Sequence, residues 1–398
     1  MKLAAVGTNR PCHRRLIDAG HEVVLIIEPD KVVDSDREHY SAVVPLADDG
    51  VEDPLIAPLI GIDRVVFYHD AYASRAVRIA QRLGVPHSAD LDVAARFADK
   101  VVTRQRTAGV AAGSVRWALL DAGTPEGTFV RAADDLGYPL VVKPVASEAS
   151  MGVSVVETPS ELMDAVRVAS ALSTTGVLLE ERLIGPEFSV ETLSVDGVHH
   201  VLGVTEKFTF DASPVECGHV LPARIADEDQ MALASAAVQV LDAIGLQQGA
   251  GHTEFILTDE GPRLVESHDR MGGDRIALLV ELATGVDYTA LAASIGAGLP
   301  VSPPSLLPRR SDAAAVWFVP PIDGPDAVLV GVEGEDEARA VARVHSVELL
   351  KKPGSLVGPL RGSFDRVALV VTTAPDAQTA LDAAREAAGH LRVRVTPP

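Results

Sequence analysis

Short apolar runs alternate with longer segments of helical spacing along residues 1–91. Leu3–Val6, Val23–Ile27, Ala42–Val44 and Val65–Tyr68 have the length and composition of strands. Ala71–Leu83 places Ala76, Ile79, Ala80 and Leu83 on one helical face. Strand–helix alternation of this kind predicts a small parallel α/β domain. The first turn, Gly7-Thr8-Asn9-Arg10, lacks the G-x-G-x-x-G spacing, so a dinucleotide site has little support.

The pattern changes near Leu91. Leu91–Gly109 reads as one helix ending at glycine. Leu140–Lys143 and Val153–Val156 read as strands around a Ser/Ala/Gly loop. Thr158-Pro159-Ser160-Glu161 has the capping-box spacing, with proline at the first helical position, and predicts a helix start. Val177–Glu180 is a further strand. Phe188–Val195 and Val198–Thr205 flank Asp196-Gly197, a strong two-residue hairpin signal. Leu233, Ala237, Val240 and Ile244 mark an amphipathic helix that stops at Gly245. The proline-rich segment Gly298–Arg310 reads as a boundary. Beyond it, Ala315–Phe318 and Val367–Val371 as strands, and Glu335–Val344 and Ala377–Ala388 as helices, predict a smaller α+β unit. The expected domains are 1–91, 92–302 and 303–398.

Composition adds exclusions. The apolar runs are strand-length, far below the ~20 residues of a membrane span. Met1–Gly7 reads as a first strand, not a signal peptide. Two distant cysteines, Cys12 and Cys217, argue against a disulfide framework and for a reduced, cytoplasmic setting. A net charge of −21 disfavours nucleic acid as partner.

The sharpest chemical signal is Gly251–Thr258, Asp259-Glu260-Gly261, then Pro262–Arg270. It reads as a hairpin with a three-residue loop and Gly261 in the left-handed position, which sets Thr258 opposite Pro262. Glu254 then faces Glu266, and His252 faces His268. Opposed side chains have Cβ atoms about 4.5–5.5 Å apart, so the two carboxylates repel unless a dication joins them. Glutamate and phosphate oxygens are ligands that Mg²⁺ prefers. A solvated hairpin and a two-His, two-Glu zinc or iron site remain alternatives. Arg270 can fork onto a carboxylate or phosphoryl oxygen, or be an ordinary surface arginine.

Two weaker signals precede it. Lys143 ends a strand before Ser147-Glu148-Ala149-Ser150-Met151-Gly152, where small residues would let N–H groups approach phosphate. A plain turn fits equally, and no Walker A spacing occurs. In Glu180–Glu191, alternation puts Glu187, Ser189 and Glu191 on one face. A carboxylate there can accept both hydroxyls of a ribose, or the cluster can simply be solvated.

In this order the segments resemble the ATP-grasp superfamily: Asp99-Lys100 before a helix, Lys143 before a small-residue loop, Glu180-Glu181 with Gly185 and Glu187, then Glu254 and Glu266 with Arg270. The resemblance is closest over Asp92–Leu299. It implies an ATP-grasp fold with a Rossmann-like N-terminal domain, a lid at about 135–205 and a small C-terminal α+β domain. It further implies ATP contacts from Lys100, Lys143, Ser147, Ser150, Gly152, Glu180, Glu181, Leu183 and Glu187, and Mg²⁺ on Glu254 and Glu266, with Mn²⁺ as a substitute. Asparagine is common in the family two residues after the second metal glutamate; here His268 departs from that pattern.

Thr205-Glu206-Lys207, Glu216-Cys217-Gly218-His219 and His252-Thr253-Glu254 look most like the amino-acid ligases that make dipeptides. That likeness implies amino-acid substrates held by Glu216, His219, Arg270, Gly272 and Gly273. It implies catalytic roles for Lys143, Arg270 and His268, an acyl-phosphate intermediate, and release of ADP and phosphate. Cys217 is better read as a small pocket or core residue than as a nucleophile. A purine-pathway or biotin-carboxylase-like acceptor, a non-catalytic nucleotide-binding protein and an unrelated α/β protein stay open, as does a homodimer.

Overall fold

The structure, a computed structural model, describes the chain apart from residues 48–56, 89, 122, 146–150, 174, 212, 303–311 and 398. Ser147 and Ser150 therefore lie outside the described residues, as does most of the Gly298–Arg310 boundary.

Strands β1 (Lys2–Val6), β2 (Glu22–Ile27), β3 (Ala42–Pro45) and β4 (Arg64–Val66) form a parallel sheet in the order β3-β2-β1-β4. Leu3–Val6 and Val23–Ile27 are buried on both faces, which is why they read as unbroken apolar runs. Each such Val, Leu or Ile side chain contributes about 1.5–3 kcal/mol on burial. The last strand is shorter than its apolar run predicts. A 3₁₀ turn, Asp70–Tyr72, follows, and the helix begins at Ala73. That turn carries Asp70 toward the rest of the molecule.

The expected helix 91–109 is two helices, Leu91–Ala98 and Lys100–Thr107. Asp99 breaks them with extended backbone, and its carboxylate accepts the N–H groups of Val101 and Val102. Aspartate competes for backbone donors in this way and so starts helices rather than continuing them. The break makes Lys100 the first residue of the second helix.

β5 (Trp117–Leu120), β6 (Leu140–Pro144), β7 (Ser154–Val156) and β8 (Val177–Glu181) form a small antiparallel sheet, ordered β5-β8-β6-β7. Phe129, Leu140, Val142, Leu162 and Leu179 make its core under two helices. At the start of the second helix Glu161 accepts the Thr158 N–H at 3.2 Å, as the capping-box spacing predicts.

The remaining long strands build one large sheet. β9 (Glu187–Val195), β10 (Val198–Thr209), β11 (Glu216–Leu221), β12 (Gly249–Thr258), β13 (Gly261–His268) and β14 (Ala313–Val319) belong to it. β15 (Ala327–Glu333), β17 (Leu356–Val357) and β19 (Arg392–Thr396) make a separate small sheet, while β16 (Val344–Leu349) and β18 (Ala368–Ala374) complete the large one. Its order is β13-β12-β9-β10-β11-β14-β18-β16. The Asp196-Gly197 hairpin forms as predicted, with Val195 paired to Val198 and both turn residues at positive φ.

Two boundaries differ from the sequence reading. β9 and β10 belong to the large sheet rather than to the lid expected at 135–205, because β9 is flanked by β10 and β12. The C-terminal region mixes helices and strands as expected, yet β14 pairs with β11, so the sheet crosses the boundary placed at 303. Among the described residues no single helix is long and apolar enough to cross a membrane.

Candidate active site

The β12–β13 hairpin has a two-residue turn, Asp259-Glu260, with Thr258 paired to Gly261, not the expected three-residue loop. Gly261 has φ +98°. A bulge between Glu254 and Phe255 restores the register beyond it, so Glu254 still lies opposite Glu266 and His252 opposite His268. The two imidazoles stack, with centroids 6.2 Å apart.

Cations hold this carboxylate pair. Glu254 Oε1 receives Lys207 Nζ at 2.9 Å and His252 Nε2 at 2.9 Å. Burial alone would raise the Glu254 carboxyl; Lys207 and His252 overcome it and hold it at about 2. Glu266 is likewise held well below the usual carboxylate range against burial by His268, at 3.1 Å, and by Lys100, at 3.7 Å. Burial disfavours the His252 imidazolium, but Glu191 and Glu254 bring its pKa up to about 9. Among the described residues no three His, Cys, Asp or Glu side chains form a metal cluster. The chain thus offers two hard carboxylates, a partial shell suited to Mg²⁺ that shares phosphate and water oxygens.

Below the pair, Glu191 is fully buried and receives Ser189 Oγ at 3.0 Å, His252 Nδ1 at 2.6 Å and the Gly272 N–H at 3.3 Å. A Cβ on Gly272 would stand 2.8 Å from His252 Nδ1. Glu187, on the same strand face, accepts Lys207 Nζ at 2.5 Å. Lys207 also reaches Glu216 at 3.5 Å. One buried lysine therefore ties together the residues expected at ribose, metal and substrate. Lys207 is near the end of β10, beside Glu206 and Thr205, and the sequence reading gave it no separate role.

Lys143 is buried at the end of β6 and donates to Glu180 Oε2 at 2.7 Å. Arg104 grips Glu180 with two bonds, 2.8 and 3.0 Å, and donates to the Leu264 and Val265 carbonyls. Burial opposes ionisation of Glu180, but Lys143 and Arg104 pull it down to about 2. Burial in turn pushes Lys143 below the usual lysine range. The Glu180 carboxylate, expected at an adenine edge, is thus engaged by two cations. Glu181 points the other way, as strand alternation requires, and pairs with Arg116 at 2.9 Å. Leu183 lies half-buried in the connector between β8 and β9, and Gly152 follows the expected phosphate loop at φ +75°.

The expected substrate residues fall into two groups. Glu216 Oε2 accepts Ser363 Oγ at 3.1 Å, and His219 Nε2 meets Asp274 Oδ2 at 3.1 Å. Arg366 grips Asp274 with bonds of 2.7 and 2.5 Å, donates to the Glu216 carbonyl and stacks on Phe318. Arg270 instead donates to Asp70 at 3.0 Å and to the Met271 carbonyl. His268 Nδ1 stands 3.8 Å from Asp70. The two groups are linked by residues 271–275, in which the Gly273 carbonyl accepts the Ile276 N–H. Sequence reasoning missed Arg104, Asp70, Asp274 and Arg366, which come from segments far along the chain from their partners.

An antiparallel small sheet set over a large one, with paired glutamates at the large sheet's edge and lysines facing them, is an ATP-grasp arrangement. Residues 136–277 match the ATP-grasp domain family. Residues 317–396 match the L-amino acid ligase C-terminal domain 2. The D-alanine–D-alanine ligase of Flavobacterium psychrophilum is 33% identical over 144 residues, 34% of this chain and 43% of that protein. The alanine–anticapsin ligase of Bacillus subtilis is 21% identical over 287 residues, 66% of this chain and 59% of that protein. The chain spans about half the length of the curated relatives it matches. In fold, the crystal structure of an L-amino acid ligase from Bacillus licheniformis is similar, with a TM-score of 0.84 and 21% identity, covering 99% of this chain and 98% of that one.

Proposed function

We propose that the protein is an ATP-dependent carboxylate–amine ligase that joins the carboxylate of one amino acid to the amine of another, releasing ADP and phosphate. The observation that carries this reading is the convergence of Glu254 and Glu266, held ionised by Lys207, His252, His268 and Lys100, with Arg270 four residues further on. Two of the relatives are named as ligases of alanine and a third as an L-amino acid ligase, which supports amino-acid substrates.

In this reading a substrate carboxylate oxygen attacks the terminal phosphorus of ATP, the bond to ADP breaks, and an acyl phosphate forms. An amine then attacks the acyl carbon, and phosphate leaves. Mg²⁺ on Glu254 and Glu266 would neutralise phosphate charge and align the oxygens for in-line transfer. Lys143 and Lys100 offset negative charge on the transferring group, and Arg270 can fork onto the carboxylate or phosphoryl oxygens. Glu187 would bind the ribose and the backbone around Leu183 would line the adenine. Glu180 acts by holding Lys143. Glu216 and His219 form one wall for an amino-acid substrate, while Gly272 and Gly273 let the backbone of the 271–275 loop approach it. His219 is buried and locked on Asp274 and His268 is engaged by Glu266, so the departing phosphate takes the proton of the amine.

Incubation with Mg·ATP and an array of amino-acid pairs tests this directly. ADP, phosphate and an amide product should appear together with particular pairs. AMP and pyrophosphate would overturn the reaction. Glu266→Gln should abolish turnover while preserving the melting profile; retained turnover would place the metal elsewhere.

A further inference from the structure

A chamber of about 690 Å³ runs along the free edge of β13. The end of β4, the helix Leu91–Ala98 and the helix Tyr288–Gly296 enclose it. Phe67, Val93, Ala94, Phe97, Leu246 and Ile295 give it apolar walls. Its volume lies within the usual range for small-molecule sites, about 300–1,000 Å³. At one end it reaches Glu266, His268 and Arg270, so it opens onto the site described above. Nothing in the proposed nucleotide, metal or Glu216–His219 sites uses its apolar part.

One side chain at that end stands apart. Glu180, Glu187, Glu191, Glu254, Glu266, Asp70 and Asp274 each meet a cationic or histidine partner. Asp269 lines the chamber and, among the described residues, meets no side chain in an ion pair or hydrogen bond. Asp70 lines the same space, and Arg270 occupies its carboxylate at 3.0 Å. Burial, then repulsion from Asp70, raises the Asp269 carboxyl to about 6. His268 and Arg270 offset part of this from a distance, but among the described residues no cation touches the carboxylate, and an enclosed carboxylate without a contacting cation is unfavourable.

We propose that this chamber seats a primary amine with a bulky apolar side chain, its ammonium held by Asp269 and its side chain packed between the helix Leu91–Ala98 and the helix Tyr288–Gly296. Under the ligase reading, on which this assignment of role rests, the occupant is the amine acceptor, which narrows the acceptors to amino acids or amines with large aliphatic or aromatic groups. Small or acidic amines leave the apolar walls uncovered or repel Asp269.

The test is calorimetric binding to the full chain in Mg·ADP, with three probes: phenylalaninamide, its neutral N-acetyl derivative, and phenylpropionate. Phenylalaninamide should bind about tenfold or more tightly than either other probe, since a charge-assisted hydrogen bond in an enclosed site is worth at least that ratio. Asp269→Asn should remove this preference, and Ala94→Trp, which fills the chamber from its helix wall, should abolish binding of all three. Both variants should melt as the parent does and bind Mg·ADP normally. Equal binding of the amine and its N-acetyl derivative, or unchanged binding by either variant, would overturn the proposal. In turnover, Asp269→Asn should raise KM for the amine and leave KM for ATP unchanged. Selective binding of phenylalaninamide without turnover on any amino-acid pair would uphold the chamber and overturn the ligase reading. Turnover without that selectivity would do the reverse.

Discussion

Replacing Arg104 with methionine removes a guanidinium that joins three elements. It grips Glu180 on β8 with two bonds and caps the Leu264 and Val265 carbonyls on β13, from the helix Lys100–Thr107. The side chain is 3% exposed and that of Glu180 7%, so solvent screens the pair little. Breaking a buried pair by removing one partner costs about 3–5 kcal/mol. Lys143 still neutralises Glu180 in the variant, which argues for the lower end, about 3 kcal/mol. Against burial, the Glu180 carboxyl is drawn from the ordinary 4.5 to about 2 by Lys143 and Arg104 together. The sign follows from that depression. The stabilisation is complete above about pH 4.5 and is lost as pH falls through about 2. Urea unfolding followed by tryptophan fluorescence reports it, because Trp117 is paired with Glu180 across β5 and β8. Arg104→Met should lower stability by about 3 kcal/mol at pH 7, and less near pH 3. Combined with Glu180→Gln it should cost about 1–3 kcal/mol less than the two changes summed. A loss below about 1 kcal/mol, or strict additivity, would refute the reasoning.

Other perturbations follow from the same geometry. Lys207→Met strips the cation shared by Glu187, Glu216 and Glu254, and should raise the Mg²⁺ concentration needed for half-maximal ADP formation by about 10–100-fold; an unchanged Mg²⁺ titration would contradict that role. Gly185 has φ +152° in the connector between the two sheets, where a Cβ would run into the Leu257 carbonyl. Gly185→Ala should therefore lower the melting temperature and turnover together, and a variant indistinguishable from the parent would show the connector to be less constrained. Arg366→Met frees Asp274 and one wall of the Glu216–His219 group, and should raise KM for one amino acid about tenfold without altering nucleotide affinity, measured by steady-state kinetics and ADP titration.

Much of this site could be read from residue order alone, and the reasons are local. Strand alternation places Glu187, Ser189 and Glu191 on one face whichever sheet they join, and two strands around a tight turn set Glu254 against Glu266. The turn itself was misread by one residue, and the bulge at Glu254/Phe255 compensated for it. The aspartate break at Asp99 carried a local signal that the longer apolar periodicity concealed. Sheet membership was not legible, because β9 alternates in the same way beside β10 and β12 as it would in the smaller sheet. Nor were the long-range ion pairs: Arg104 meets Glu180 across 76 residues, Arg366 meets Asp274 across 92 and Arg270 meets Asp70 across 200. Only the folded chain brings those charges together.

The central claim is that a substrate carboxylate oxygen becomes bonded to phosphorus before the amide forms. The most direct measurement uses an amino acid whose carboxylate carries heavy oxygen, with Mg·ATP and an amine acceptor, and reads the isotope in each product by mass spectrometry. The account predicts one heavy oxygen in inorganic phosphate, the other in the amide carbonyl, and none in ADP. Heavy oxygen in AMP, or unlabelled phosphate beside a labelled amide, would contradict it.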